Sequence, residues 1–478
     1  MRCILPPVAR CHYPKGLPPM DVPMTRPLFA WDCLEDSPSL DTVRRFLRLV
    51  PDGKLLESLR RHRGRGRDDY SVSSQWGVLL LTCLLRHTSI EACLQELHRN
   101  EGLRRLIGID GEDKVPKAWN MSRFLQVLGS RPHRELLKAI FDELVRGLAQ
   151  GVEDLGGQTA GDATALCARA GEGKQEDGLA PPSGGRKEYE DETGKVVRVV
   201  EWFGYKLHLL VDKRHEVALA YEVSSPRVAD AQEIPALVEE AEGNLPEGRI
   251  RTLAYDKAAD DEKTHAYLNA RRIAPVIENR SLWRAESERM LPGHDGRSNV
   301  VYDEAGTLYC YDKTADPPVR HRMAYIGHEK SRGTLKYRCP ARHGGWRCAS
   351  DGRCNTGRKY GKTVRVKREM DLRRFPPIPR ATMQFERLYD GRTAVERVNA
   401  RLKVFWGVDD GNITGARRFH AYVGAVMVVH AGLATLLAST ARRDGPLGQM
   451  RLDPITKALR ASAGGAGAGP PGKAARRR

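Results

Sequence analysis

The feature that most constrains this 478-residue chain is a change of hydrophobic period near residue 150. From Asp41 to about Ala149, apolar residues recur every three or four positions. "LDTVRRFLRLV", "SSQWGVLLLTCLLRH", "SIEACLQELHRNEGLRRLIG" and "HRELLKAIFDELVRGLA" all read as helices that bury one face. Ser89 stands at a helix N-cap, with Glu91 in the first turn. After "GVEDLGG" the apolar runs shorten. "QTAGDATALCAR", "WFGYKLHLLVD" and "EVALAYEVSS" read as three strands, and "DAQEIPALVEEAE" as a helix carrying Pro235 near its start. "IRTLAYD", "KTHAYLNARR" and "IAPVIEN" follow as strand, helix and strand. Three strands that can form a meander, followed by alternating elements, predict an α/β fold with a mixed sheet behind an all-α region.

The texture divides the chain further. Residues 1–33 are Pro-rich and irregular, 34–150 helical, 151–280 strand-rich, 281–380 polar and rich in Gly and Arg, 381–445 helical again, and 446–478 a low-complexity tail expected to be disordered. The net charge is +18, and residues 330–380 carry 16 Lys/Arg against 3 Asp/Glu, a surplus of 13. So concentrated an excess predicts a surface that contacts phosphates, and the partner implied is nucleic acid. A membrane is not favoured. The N-terminal "MRCILPPVARCHYPKGLPP" has no long apolar run, and residues 421–437, short for a span and containing His430, read as a buried helix. Ten cysteines without an export signal predict reduced thiols and no disulfides; the expected location is the cytoplasm, nucleoid-associated as a nucleic-acid partner implies.

"YDGRTAVERVNARLK", residues 389–403, keeps a carboxylate among cations. On a helix with Glu396 at zero, Lys403 falls at about −20°, Arg392 at about −40° and Tyr389 at about +20°, while Val395, Val398, Leu402 and Phe405 fall at about 180–260°. One face would then pack and the other present a Tyr-Arg-Glu-Lys stripe. Alternatively Thr393-x-x-Glu396 is a capping box, with Tyr389 and Arg392 ahead of the helix. A carboxylate on such a stripe makes chemical sense as a ligand of Mg²⁺, with the cations on DNA phosphates. A metal site needs further carboxylates. Asp162 on the first strand and Asp256 at the end of the fourth are candidates, and Asp154, Asp212, Asp260 and Asp261 compete with them.

These residues resemble the DDE transposases of bacterial insertion sequences, in the branch with the signature Y-(2)-R-(3)-E-(6)-K. Tyr389, Arg392, Glu396 and Lys403 match that spacing, and "AGDAT" and "LAYDKAADD" are similar to the first two aspartate motifs, in order. "FGYKLHLLVD", with Lys206, resembles the second strand of the family, and the likeness runs over about residues 60–440. The second motif departs from many relatives, which have a glycine and an aromatic after the lysine. The resemblance implies an RNase H-like mixed-sheet core in two parts, 151–280 and 381–445, interrupted by a basic Cys-containing insertion at 281–380 and preceded by a DNA-binding helical domain at 34–150. It implies two Mg²⁺ or Mn²⁺ ions on Asp162, Asp256 and Glu396. Tyr389, Arg392, Lys403 and Lys206 would contact double-stranded DNA, and a homodimer would assemble on paired element ends. The implied reaction is hydrolysis at the ends, then attack of the freed 3′-OH on target DNA. Trp202 is a candidate to stack on a flipped base, with core packing the competing reading. A non-catalytic DNA-binding derivative and a nuclease without strand transfer stand as alternatives.

Cys310, Cys339, Cys348 and Cys354 lie in the insertion at spacings C-x28-C, C-x8-C and C-x5-C, with His343 among them. None is the tight C-x2-C of a zinc knuckle. The spacing favours four ordinary thiols and leaves a structural zinc open.

Overall fold

The computed structural model describes residues 38–449 except 66–68, 170–174, 176, 191–194, 285, 293–298, 315, 409–412 and 441–444, together with Thr456. The irregular N-terminal segment and nearly all of the basic tail lie outside the described residues. Seven helices lead: α1 (Pro38–Leu49), α2 (Gly53–Arg63), α3 (Val72–Leu84), α4 (Ile90–Arg99), α5 (Glu101–Leu106), α6 (Ala118–Leu128) and α7 (His133–Gly151). Ser89 caps α4 as its sequence predicts, accepting from the Ala92 N–H at 3.1 Å. α3 is apolar on nearly every side and is correspondingly buried all round.

The mixed sheet follows: β1 (Gln158–Cys167), β2 (Ser183–Glu190), β3 (Val196–Asp212), β4 (Ala218–Ser224), helix α8 (Asp230–Asn244), β5 (Thr252–Tyr255), helix α9 (Glu262–Ala270) and β6 (Ala274–Ile277). β4, β3 and β1 form the expected antiparallel meander, and β5 and β6 add in parallel beyond β1. β2 was not legible, because "SGGRKEYE" has no apolar alternation. It pairs with the first half of β3, while β4 takes the second half.

Residues 288–367 build two small antiparallel sheets. One holds β7 (Glu288–Met290), β8 (Val300–Asp303), β9 (Leu308–Asp312) and β10 (Val319–Arg322). The other holds β11 (Ala324–Glu329), β12 (Thr334–Arg338) and β13 (Thr363–Lys367), with short helices α10 (Pro340–Gly344) and α11 (Asp351–Cys354) between the last two strands. The chain then returns through α12 (Met383–Asp390), α13 (Thr393–Trp406) and α14 (Ala416–Ala438).

One hydrophobic cluster runs from Val43 to Leu447 and takes in the N-terminal helices, the mixed sheet, α13 and α14. α14 is the one helix among the described residues long and apolar enough to cross a membrane; it is packed against α7, α6 and α3. Leu447–Gln449, the start of the expected tail, form a 3₁₀ turn on α14 with Leu447 buried. The two small sheets share a separate cluster that includes Leu308, Leu335, Tyr337 and Phe375.

Candidate active site

The acids gather where the parallel pairing of β1 with β5 runs out, Asp162 in the middle of β1 and Asp256 just past β5. β1 and β5 are in parallel register with Ala160 opposite Ala254. That register carried two residues further would set Asp162 level with Asp256, whose charge acts on Asp162. Gly161 makes room for this arrangement, since a Cβ there would collide with the Tyr255 ring that packs beside it. Asp256 also caps the short turn after β5, accepting from the Ala258 N–H at 3.0 Å.

α13 lies across β1 and β3. Val395, Val398 and Leu402 face the core and are fully buried, so the predicted packing face is the one used. Asn399, on the next turn from Glu396, places its Nδ2 3.5 Å from Asp162. The helix does not run unbroken from Tyr389. α12 ends at Asp390, and Gly391 and Arg392 bridge to α13 with α-region dihedrals. The capping box does not form either: the Thr393 hydroxyl donates to the Asp390 carbonyl at 3.0 Å, and Glu396 pairs with Arg392 at 2.7 Å. Because the bridge keeps helical dihedrals, the four-residue spacing still brings that pair together. Lys213, just beyond β3, donates to the Leu388 carbonyl and passes where a side chain at position 391 would stand.

Arg392 is the electrostatic centre of the site. Burial works against its charge, but Glu396, Tyr389, Asp162 and Asp256 outweigh this and hold its pKa above the ordinary value. Arg397 is engaged elsewhere, at 2.6 Å from the buried Glu216 of the β3–β4 turn, and so does not neutralise Glu396. Burial pushes the Asp162 carboxyl up to about 6; Lys187 and Arg392 oppose the rise, and Asp256 adds to it. Tyr389 stacks on Phe385, and burial together with Glu278 pushes its phenol up to about 12. Lys403 lies two turns along α13 from Glu396, half-buried.

The oxygen donors suit a hard divalent cation: Asp162, Asp256, Glu396, and the buried Asn399 Oδ1, which has no hydrogen-bond partner. As the side chains stand, Glu396 is turned to Arg392, and no three ligating side chains among the described residues surround one point.

Lys206 does not join this group. It pairs with Ala165, three residues along β1 from Asp162, so its side chain leaves the opposite face of the sheet. There its ammonium is held by Asp230 of α8 at 2.9 Å and by the Val228 carbonyl at 3.0 Å. Trp202 packs across Gly185 of β2 and donates to the Tyr205 carbonyl, which is strand packing. The competing acids have structural tasks. Asp212 accepts from the Gly156, Arg214 and His215 N–H groups, and Asp154 pairs with Arg214 and His215. Asp261 caps α9. Asp260, fully buried, binds His265, Arg373 and Arg380, tying the chain after β13 back to the sheet.

Sequence reasoning missed Glu278, Asn399 and Lys187. Glu278 ends the β6 segment "IAPVIEN" as Asp256 ends "IRTLAYD", so the same strand-end signal was available. Asn399 carries no charge to draw attention, and Lys187 sits on the unrecognised β2.

The four insertion cysteines converge on a single small cavity that also touches Asn299, Asn355 and Lys362.

Comparison with known proteins matches residues 179–431 to the family described as "Transposase DDE domain" and residues 32–127 to "Transposase domain (DUF772)". No curated protein matches the chain. A solved piggyBac transposase synaptic complex with hairpin DNA is similar at 11% identity over 90% of this chain and 82% of that one, with a TM-score of 0.34, too low to carry an argument. With more than half its length matched by the DDE domain and its helical N-terminal region by a second transposase domain, the chain belongs to the DDE transposases of insertion sequences.

Proposed function

We propose that this transposase is catalytically active, in the Tyr-Arg-Glu-Lys branch of the family. It cuts double-stranded DNA at the inverted-repeat ends of its element and joins the 3′-OH ends to target DNA. The observation that carries this reading is the environment of Arg392, a single cation acted on by Asp162, Asp256 and Glu396 together. Three carboxylates that all favour positive charge in one region would supply the donor set for a divalent metal. The strand order β4-β3-β1-β5-β6 supports an RNase H-like reading of the core.

Asp162, Asp256 and Glu396 would hold Mg²⁺ or Mn²⁺, which supplies an activated water and a charge clamp on the leaving oxygen. The protein's own part is to present these oxygens deprotonated and to orient the DNA. Arg392 would leave Glu396 for a phosphate, since a guanidinium suits either anion. Lys403 adds a point charge further along the helix, and Tyr389, held toward Glu278, offers a ring and a hydroxyl to the distorted end. The protein would act in the cytoplasm as a homodimer on paired ends.

The test is cleavage of a labelled duplex carrying the element's terminal repeat, with Mg²⁺, with Mn²⁺ and with EDTA. Glu396→Gln should lose about a thousandfold or more in cleavage while binding the duplex nearly as well. Cleavage that persists in this variant overturns the carboxylate assignment. Wild-type binding without cleavage in either metal supports a DNA-binding derivative instead.

A further inference from the structure

We propose that Cys310, Cys339, Cys348 and Cys354 bind one structural Zn²⁺ ion that staples together the two small sheets of the insertion. The four cysteines converge from separate elements. Cys310 lies on β9, Cys339 at the junction of β12 and α10, Cys348 in the loop between α10 and α11, and Cys354 at the end of α11. Their separations of up to 28 residues carry no zinc signature, yet all four line one cavity of about 20 Å³. That is room for about one water-sized occupant. All four are free thiols.

The surroundings are those of metal-bound thiolates. Asn355, itself buried, donates its Nδ2 to the Cys339 sulfur at 3.4 Å, and Asn299 donates to the Cys354 sulfur at 3.7 Å. A neutral thiol is a poor acceptor. A zinc-bound thiolate is a good one, and such outer hydrogen bonds orient ligands and spread their charge. Four thiolates on a dication leave two negative charges. The Lys362 ammonium stands close enough to act on Cys310, and it donates to the Asn299 side-chain oxygen Oδ1 at 2.9 Å. Metal binding would release the thiol protons to solvent.

At least two of the four thiols must reorient, Cys348 and one of the other three. No three ligating side chains among the described residues yet close on one point, and Cys348 is turned toward Asp312, at 3.6 Å. Cys348 belongs to neither a strand nor a helix, so turning its thiol inward disturbs no ladder. The energetic case is architectural. α10 and α11 have five and four residues, too few to persist alone, and the two sheets share only a small apolar cluster. An ion that joins β9 to β12 and to both helices supplies what that cluster lacks.

The test is the zinc content of the full-length protein purified without chelator, with cobalt substitution read by absorbance. About one zinc per chain is expected, and Co²⁺ should give the intense visible bands of a tetrahedral thiolate site. Cys354→Ser should cut zinc content at least severalfold, while the exposed Cys167→Ser keeps it. Wild-type protein with no zinc and no cobalt–thiolate bands overturns the proposal, as does zinc retained in full by Cys354→Ser. The cobalt spectrum needs no variant, so a misfolded mutant does not shelter the idea. None of these readouts depends on cleavage, and Glu396→Gln should keep its zinc.

Discussion

The carboxylate site and the cysteine pocket both collect side chains from distant segments, but they are built on different supports. Asp162, Asp256 and Glu396 stand on a mixed sheet and a helix that share the large hydrophobic cluster. Of the cysteines, Cys310 stands on a strand of five residues, Cys339 just past another of five, Cys348 in a loop and Cys354 at the end of a helix of four. The first support exists without its ligand and stores the electrostatic cost of the site. The second, on the zinc proposal, is fastened by its ion. Changes at the carboxylates should therefore remove function and preserve or raise stability, whereas changes at the insertion's fastenings should unfold it locally and leave the sheet standing.

The largest stability effect is expected at the joint between the two regions. Asp260 is fully buried between Arg373, Arg380 and His265. Asp260→Ala would leave two buried guanidinium groups unpaired, at a cost of about 3–5 kcal/mol. Hydrogen exchange should then quicken across residues 288–375 before it does so in β1 and β3. Uniform loss of protection would mean that the two regions unfold as one, and the contrast would fail.

A smaller change of opposite sign is expected at Asp162. Burial pushes its carboxyl up from an ordinary 3.8 to about 6 in the folded chain. The folded state therefore holds its proton more tightly, and wild-type stability falls as pH rises from about 4 to about 6. Asp162→Asn escapes this loss. Without metal it should be more stable than wild type by about 1–2 kcal/mol above pH 6 and equal to it below pH 4, seen as a Tm difference that appears with pH. A variant less stable at pH 8 would show that the carboxylate is structural.

The same contrast explains what the sequence made legible. The α/β order, the meander and the packing face of α13 follow from hydrophobic period, which is local and survives long elements. The stripe from Tyr389 to Lys403 needs only fifteen residues. Its partners Asp162 and Asp256 were visible as acids on strands, but adjacency depended on register, which no single strand encodes. β2 escaped notice because its residues are Gly, Arg, Lys and Glu. The cysteine cavity could not be read, because it depends on how two small sheets meet rather than on spacing.

The smallest expected effect concerns Lys206, for which motif context and strand parity disagree. The resemblance groups Lys206 with the DNA-contacting residues, but pairing with Ala165 sends its side chain to the α8 face, where Asp230 holds it. Lys403 sits on the helix that carries Glu396. If the parity argument holds, Lys206→Met costs about 1 kcal/mol of stability, as expected for the loss of a largely buried hydrogen-bonded partner, and leaves the salt dependence of end binding unchanged. Lys403→Ala should lower the slope of log K against log salt by about one phosphate contact. Comparing the two slopes on the same duplex decides the matter. Equal losses would mean that DNA reaches both faces of the sheet, and the division between a packing face and a DNA face would have to be abandoned.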